Sequence, residues 1–332
     1  MPTLRRRLTG GILFGFLVVL ALLLIGDLGQ VSHTLATFNW VLAPLLLLCT
    51  LWNYALRFLK WHFYLYQIGV RELSWGESAR LFVAGFPLAV TPGKVGEALK
   101  GVWLNRAAGA PTARGVTVVL AERISDGLAV LALSTLGVLA YPRYWPAFAL
   151  VLGGMVALVV FSQIRPLALW AITQMARVPF LSRSAPHLRE FYEGSYALFR
   201  PHAVLVAVSL GIVAWLGEGV GMYLVLLGLG VPAGWATLGI GVFVLSFSTV
   251  VGAVSALPGG LGAAEASIAG MLGLTLALST SAAASAALII RLATLWFGVA
   301  LGLLVWVRSR DLLFLEPQVE DDEIGMDQHP VR

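Results

Sequence analysis

Four ionisable residues in apolar surroundings share one spacing. Glu97 is followed 26 residues later by Arg123, and Glu265 is followed 26 residues later by Arg291. Each glutamate opens a helix-like run just after a proline-glycine break. The first break reads Thr91-Pro92-Gly93-Lys94-Val95-Gly96-Glu97. The second reads Leu257-Pro258-Gly259-Gly260-Leu261-Gly262-Ala263-Ala264-Glu265. Pro92, Gly93, Gly96, Pro258, Gly259, Gly260 and Gly262 are the residues that make the breaks. A break at proline frees backbone groups, which need protein or water partners at membrane depth. The helix end beyond it presents unpaired N–H groups and a positive dipole, a ready phosphate site. Arg123 and Arg291 would add guanidinium forks that suit phosphate bidentately. Glu97 and Glu265 could bind an amine, carry a proton or hold the arginines in place.

A structural reading stands beside this one. A glutamate in a first helical turn favours the dipole. Glu97 and Lys100 are three apart and could pair on one helix face. Glu122, Arg123 and Asp126 could form a local ion network. Lys94 is either a headgroup contact or an interface anchor. Glu218 is a further candidate, and His62, Trp52 and Trp215 read as interfacial or packing residues. Against the structural reading stands cost: an ionisable group at the centre of a membrane helix costs about 2.5–3.5 kcal/mol on insertion scales, so its retention points to function.

These residues need elements that place them inside a bilayer. The 332-residue chain is 59% hydrophobic and 12% charged, against about 25% charged in soluble domains. Residues 8–26, 144–164, 219–264 and 266–290 carry no charge. A helical span needs about 20 apolar residues, and the runs lack the alternation of a membrane barrel. One cysteine, Cys49, excludes an intrachain disulfide. Five scattered histidines give no zinc-like spacing. No nucleotide loop, serine elbow or histidine-cysteine pair is present, so no catalytic residue, metal or cofactor is expected. The net charge of +5 speaks about orientation and anionic lipid rather than nucleic acid.

The Lys/Arg distribution sets a topology. Arg5, Arg6 and Arg7 precede the first apolar run, expected to be a retained helix rather than a cleaved signal. Arg57 and Lys60 mark the exit of the second helix. Arg71 and Arg80 precede the first broken segment, and Lys100, Arg106 and Arg114 follow it. With both ends basic, that segment is expected to enter and leave on the cytoplasmic side as a re-entrant hairpin. The loop at 165–200 reads as cytoplasmic, with a short surface helix at 188–198 and arginines facing anionic headgroups. The second broken segment then begins and ends outside. The expected fold is all-α: an inverted-topology repeat of about six transmembrane helices plus two Pro-Gly-broken re-entrant hairpins. Residues 1–146 form the first unit and 147–310 the second, inverted unit. Residues 311–332 form an acidic disordered tail. Such repeats with paired interrupted segments are typical of transporters. An eight-span alternative, with residues 236–256 crossing, stays open.

Pro92-Gly93-Lys94-Val95-Gly96-Glu97, Glu122-Arg123-Ile124-Ser125-Asp126 and the second break, in this order, resemble the lysylphosphatidylglycerol synthase transmembrane-region family. That is the flippase-like domain of the bacterial multiple peptide resistance factor. The resemblance spans roughly residues 10–307. It implies moving a polar lipid between leaflets of a cytoplasmic membrane, with aminoacylated phosphatidylglycerol, polyprenyl-linked glycans and hopanoids as the family's cargoes. The soluble aminoacyl-transferase domain of the full-length factor has no counterpart here, so no synthase activity is expected. The expectation is a multi-pass protein of the bacterial inner membrane with both termini cytoplasmic. It would be a lipid flippase whose substrate-binding residues are Lys94, Glu97, Glu122, Arg123, Asp126, Glu218, Glu265 and Arg291. The competing expectations are a non-transporting partner of a lipid- or glycan-modifying enzyme, and a membrane enzyme acting on a lipid phosphate. A lipid-modifying enzyme or a second copy of the chain are the expected protein partners.

Overall fold

The computed structural model describes residues 2–91, 96–138, 145–177 and 184–309. Pro92, Gly93 and Lys94 lie outside the described residues, as does the acidic tail. The described residues form helices α1 (Pro2–Ile25), α2 (Leu28–Thr37), α3 (Ala43–Gln67), α4 (Trp75–Ala84), α5 (Leu99–Ala108), α6 (Thr112–Val138) and α7 (Trp145–Ser162). They continue as α8 (Arg165–Ala176), α9 (Ala185–Leu198), α10 (Pro201–Gly228), α11 (Trp235–Val254), α12 (Ala263–Leu276), α13 (Thr280–Arg291) and α14 (Phe297–Arg308). Among the described residues there is no strand. The protein is an all-α integral membrane protein.

Among the described residues, six stretches are long and apolar enough to cross a membrane: Leu8–Ile25, Trp40–Gln67, Pro201–Gly228, Trp235–Val254, Pro258–Leu276 and Thr280–Arg308. The number matches the expectation, but the membership differs. Both arms of the second broken segment belong to it. α6 does not, because Glu122, Arg123 and Asp126 interrupt its apolar run. It is nonetheless 27 residues long, about 40 Å, and its charges are met by partners from neighbouring helices. α7 and α8 are bent by 77° at their junction.

The two breaks differ in depth of helix on either side. α4 and α5 are ten residues each, about 15 Å and too short to span. They pack on one another across the first break. α11 has 20 residues, enough for a crossing, and it packs along α12. The break segments touch: Val90 packs on Gly259, and α1 packs over both. Gly11 of α1 makes this possible, since a methyl there would sit 2.0 Å from the Val90 carbonyl oxygen.

The largest apolar cluster joins Phe38, Leu46 and Leu131 to Met222, Phe243, Ile268 and Ile290. Residues from before and after 146 therefore share one core. The short helix expected at 188–198 is α9, and it packs on α6. Gly194 lies so close that an added Cβ would meet Thr117 Oγ1 at 2.4 Å. Its Glu190 pairs with Arg114 of α6, and Glu193 pairs with Arg165 at 3.1 Å.

Candidate functional site

The second break shows why glycine recurs in it. Gly259, Gly260 and Gly262 all have positive φ, which side-chain-bearing residues resist. A Cβ on Gly260 would also lie 2.9 Å from Gly252 Cα of α11. The chain therefore turns tightly against α11 before α12 starts. At that start, the Gly262 N–H donates to Glu265 Oε2 at 2.7 Å. The other oxygen, Oε1, accepts from Arg291 Nε at 2.6 Å. Arg291 Nη2 then donates to the Gly259 carbonyl at 2.7 Å. One glutamate and one arginine thus satisfy backbone groups on both sides of the break.

The first break is closed differently. Thr91 Oγ1 donates to the Leu88 carbonyl at 2.6 Å and accepts from Gly96 N–H at 3.0 Å. A methyl on Gly96 would meet that hydroxyl at 2.6 Å. Glu97 follows, buried, with a carboxylate oxygen 3.1 Å from Arg123 Nε. In both halves, then, the glutamate meets the arginine 26 residues on. Of the roles open to the glutamates, the geometry fits holding the arginines in place.

The charges on α6 do not pair among themselves. Glu122 accepts from Lys100 Nζ at 2.7 Å, Arg123 meets Glu97, and Asp126 accepts from Lys60 Nζ of α3. Asp126 Oδ2 is also 3.2 Å from Arg57 Nε. A helix-local network is thereby replaced by ion pairs that tie α6 to α3, α5 and the first break. The Glu97–Lys100 pairing gives way for the same reason. Arg57, Lys60 and Lys100 look in the sequence like anchors at a membrane surface. In the fold they are interior groups, Lys60 with no exposure at all. Lys100 also lies 4.1 Å above the Trp61 ring, a favourable place for a cation.

A cavity of about 170 Å³ lies where the two breaks face each other. Glu97, Lys100 and Arg123 line it from the first half, and Gly259, Gly260 and Arg291 from the second. Tyr54 and Arg57 of α3, and Trp215 and Glu218 of α10, complete the polar wall. Lys94 lies outside the described residues. Glu122, Asp126 and Glu265 sit one layer back, behind the cations they hold. Trp215, expected as packing, lines the cavity, and its buried indole N–H lacks an acceptor. Arg57 and Arg123 also present Nε groups close to carboxylates but not aligned for hydrogen bonds. Three residues that line the cavity thus carry a buried N–H without an aligned acceptor, a condition buried polar groups rarely tolerate.

The last span is continuous from Thr280 to Arg308 but contains a π-helical turn at Leu292–Trp296, directly after Arg291. Such turns recur at functional sites. Tyr54 Oη donates to the Thr294 carbonyl in this turn at 2.5 Å. Gly298 makes room for the ring, since a Cβ there would meet Tyr54 Oη at 2.4 Å.

Comparison with known proteins agrees with a membrane protein. No solved structure matches the chain. A UPF0104 membrane protein of Methanothermobacter thermautotrophicus is 26% identical over 305 residues, which is 86% of this chain and 89% of that protein. Residues 12–302 match the family described as lysylphosphatidylglycerol synthase TM region, a stretch that includes both breaks, both Glu–Arg pairs and the cavity they line. The chain belongs to that lysylphosphatidylglycerol synthase transmembrane-region family.

Proposed function

We propose that this protein moves a polar phospholipid, or a related headgroup-bearing lipid, across the membrane without catalysing a reaction on it. The observation that carries the reading is the cationic lining of the cavity between the breaks, to which Arg57, Lys100, Arg123 and Arg291 all contribute. Phosphate oxygens are acceptors of the matching kind. A headgroup cannot cross about 30 Å of hydrocarbon unescorted, and the polar cavity supplies an intermediate station. Membership of a lipid-related family supports the same reading. In it, the two broken segments belong to units of opposite orientation in a bacterial inner membrane, with both termini cytoplasmic. Exposed arginines of the 165–200 region would rest on anionic headgroups.

Reconstitution tests this directly. Proteoliposomes carrying fluorescent phosphatidylglycerol should exchange it between leaflets faster than protein-free vesicles. Arg57→Ala, which leaves Asp126 paired with Lys60, should slow that exchange at least tenfold. Exchange no faster than in empty vesicles would remove the transport reading and favour a non-transporting partner of a lipid-modifying enzyme.

A further inference from the structure

Among the described residues, five cations and five carboxylates surround the cavity in one connected cluster. The cations are Arg57, Lys60, Lys100, Arg123 and Arg291; the carboxylates are Glu97, Glu122, Asp126, Glu218 and Glu265. Four carboxylates hold cations. Asp126 holds two, and Glu218 holds none: among the described residues no cation lies within 4.0 Å of it. Glu218 is nevertheless buried, and it lines the cavity. Its charged neighbours are Arg57 from α3, Arg291 from α13 and Asp126 from α6. Cys49 and Tyr54 of α3 also feel its charge. α11, the other long helix packed against α10, carries no titratable residue.

We infer that Glu218 takes up one proton when a monoanionic phosphodiester headgroup enters the cavity, and releases it when the headgroup leaves. This rests on the transport reading above and adds the coupling ion to it. With all ten of these described groups charged, the cluster they form is neutral. A monoanion entering it would leave one uncompensated negative charge in a low-dielectric site, which is costly. Glu218 is the carboxylate that can accept a proton without abandoning a cation. Its protonation leaves the cluster with one spare positive charge, which the monoanion balances. The proton comes from water on the side of entry and returns to water on the side of exit, so headgroup and proton cross together without net charge. The spare charge sits on Arg57. Lys60 already serves Asp126 Oδ1, and the Arg57 contact with Oδ2 lacks hydrogen-bond alignment. Arg57 can therefore turn to a phosphate without leaving Asp126 unpaired. Its guanidinium lies 5.8 Å from the Trp215 ring centre, next to the free indole donor.

The test measures binding and movement separately. Detergent-solubilised protein is titrated with phosphatidylglycerol between pH 5.5 and pH 8.5. The parent should bind up to about tenfold tighter per unit fall in pH, the slope for one linked proton. Glu218→Gln should bind with no such slope, and Glu218→Asp should keep it. Zwitterionic phosphatidylcholine should show no slope with any variant. In proteoliposomes, a pH gradient should drive net accumulation of labelled phosphatidylglycerol by the parent and not by Glu218→Gln. A parental slope retained by Glu218→Gln, or an equal slope for phosphatidylcholine, overturns the proton linkage. Absence of any movement by the parent overturns transport instead, and the binding titration still decides the role of Glu218.

Discussion

Arg291 Nη2 donates to the Gly259 carbonyl at 2.7 Å, fastening a membrane helix to a break 32 residues earlier in the chain. The same guanidinium meets Glu265 through Nε, and Glu265 caps the helix that leaves the break. The triangle explains how a proline-glycine turn survives in the apolar interior. Its Gly259 carbonyl and Gly262 N–H are both covered by one ion pair.

Removing one corner should therefore cost stability before it costs recognition. Arg291→Ala leaves Glu265 charged and buried, a change that typically costs about 3–5 kcal/mol. Arg291→Lys should recover little, because a point charge cannot serve Glu265 and Gly259 together through a planar fork. Thermal melting in detergent checks both. A parental melting temperature for Arg291→Ala would show that the triangle does not hold the break.

Arg57→Ala should behave in the opposite way. Asp126 keeps Lys60, so no buried carboxylate is orphaned. The variant should melt within a few degrees of the parent and bind phosphatidylglycerol at least tenfold more weakly. Equal binding by the two proteins would move the headgroup site away from α3.

Gly260→Ala should be poorly tolerated. The position needs positive φ, and an added methyl lies 2.9 Å from Gly252 Cα and 3.1 Å from its carbonyl oxygen. Backbone on both sides cannot step aside cheaply. A left-handed position occupied by a non-glycine residue costs about 1–3 kcal/mol before the clash is counted. Expression yield and melting temperature should both fall. Gly270→Ala, a helical site with no neighbour within 4 Å of the added atom, serves as the control.

Orientation is open to labelling. In a Cys49→Ser background, single cysteines at Arg106 and Arg189 should react from the cytoplasmic side, and cysteines at Gly230 and Leu274 from outside. The motive is the Lys/Arg distribution. External labelling at Arg106 would rule out a first broken segment that returns to the side it entered.

The two Glu–Arg pairs were legible in the sequence because their partners share a spacing, and spacing survives folding. The helical class was legible because long charge-free runs allow little else. The second layer of charge was not. Arg57, Lys60 and Lys100 stand near the ends of apolar runs, where basic residues ordinarily mark a membrane surface. Only the packing of α3 and α5 against α6 shows that their charges are spent on Asp126 and Glu122. Trp215 was hidden for a similar reason, since an aromatic residue in an apolar helix usually fills space. The docking of α9 on α6 was also obscure, because its buried face mixes small residues at Gly194 and Ser195 with only Tyr192 and Leu198 as large ones.

The π-helical turn at Leu292–Trp296 divides the last span into two lengths with different attachments. α13, above the turn, packs along α12 and carries the arginine that fastens the second break. α14, below it, packs on α4 and on the Phe86–Val90 turn that leads into the first break. One rod is thus riveted to both halves of the cavity wall, with its joint between the rivets and Tyr54 bearing on the joint. Neither break can tilt without loading the other through this rod. In the transport cycle proposed above, the opening of the cavity toward one leaflet and its closing toward the other would be two ends of one see-saw.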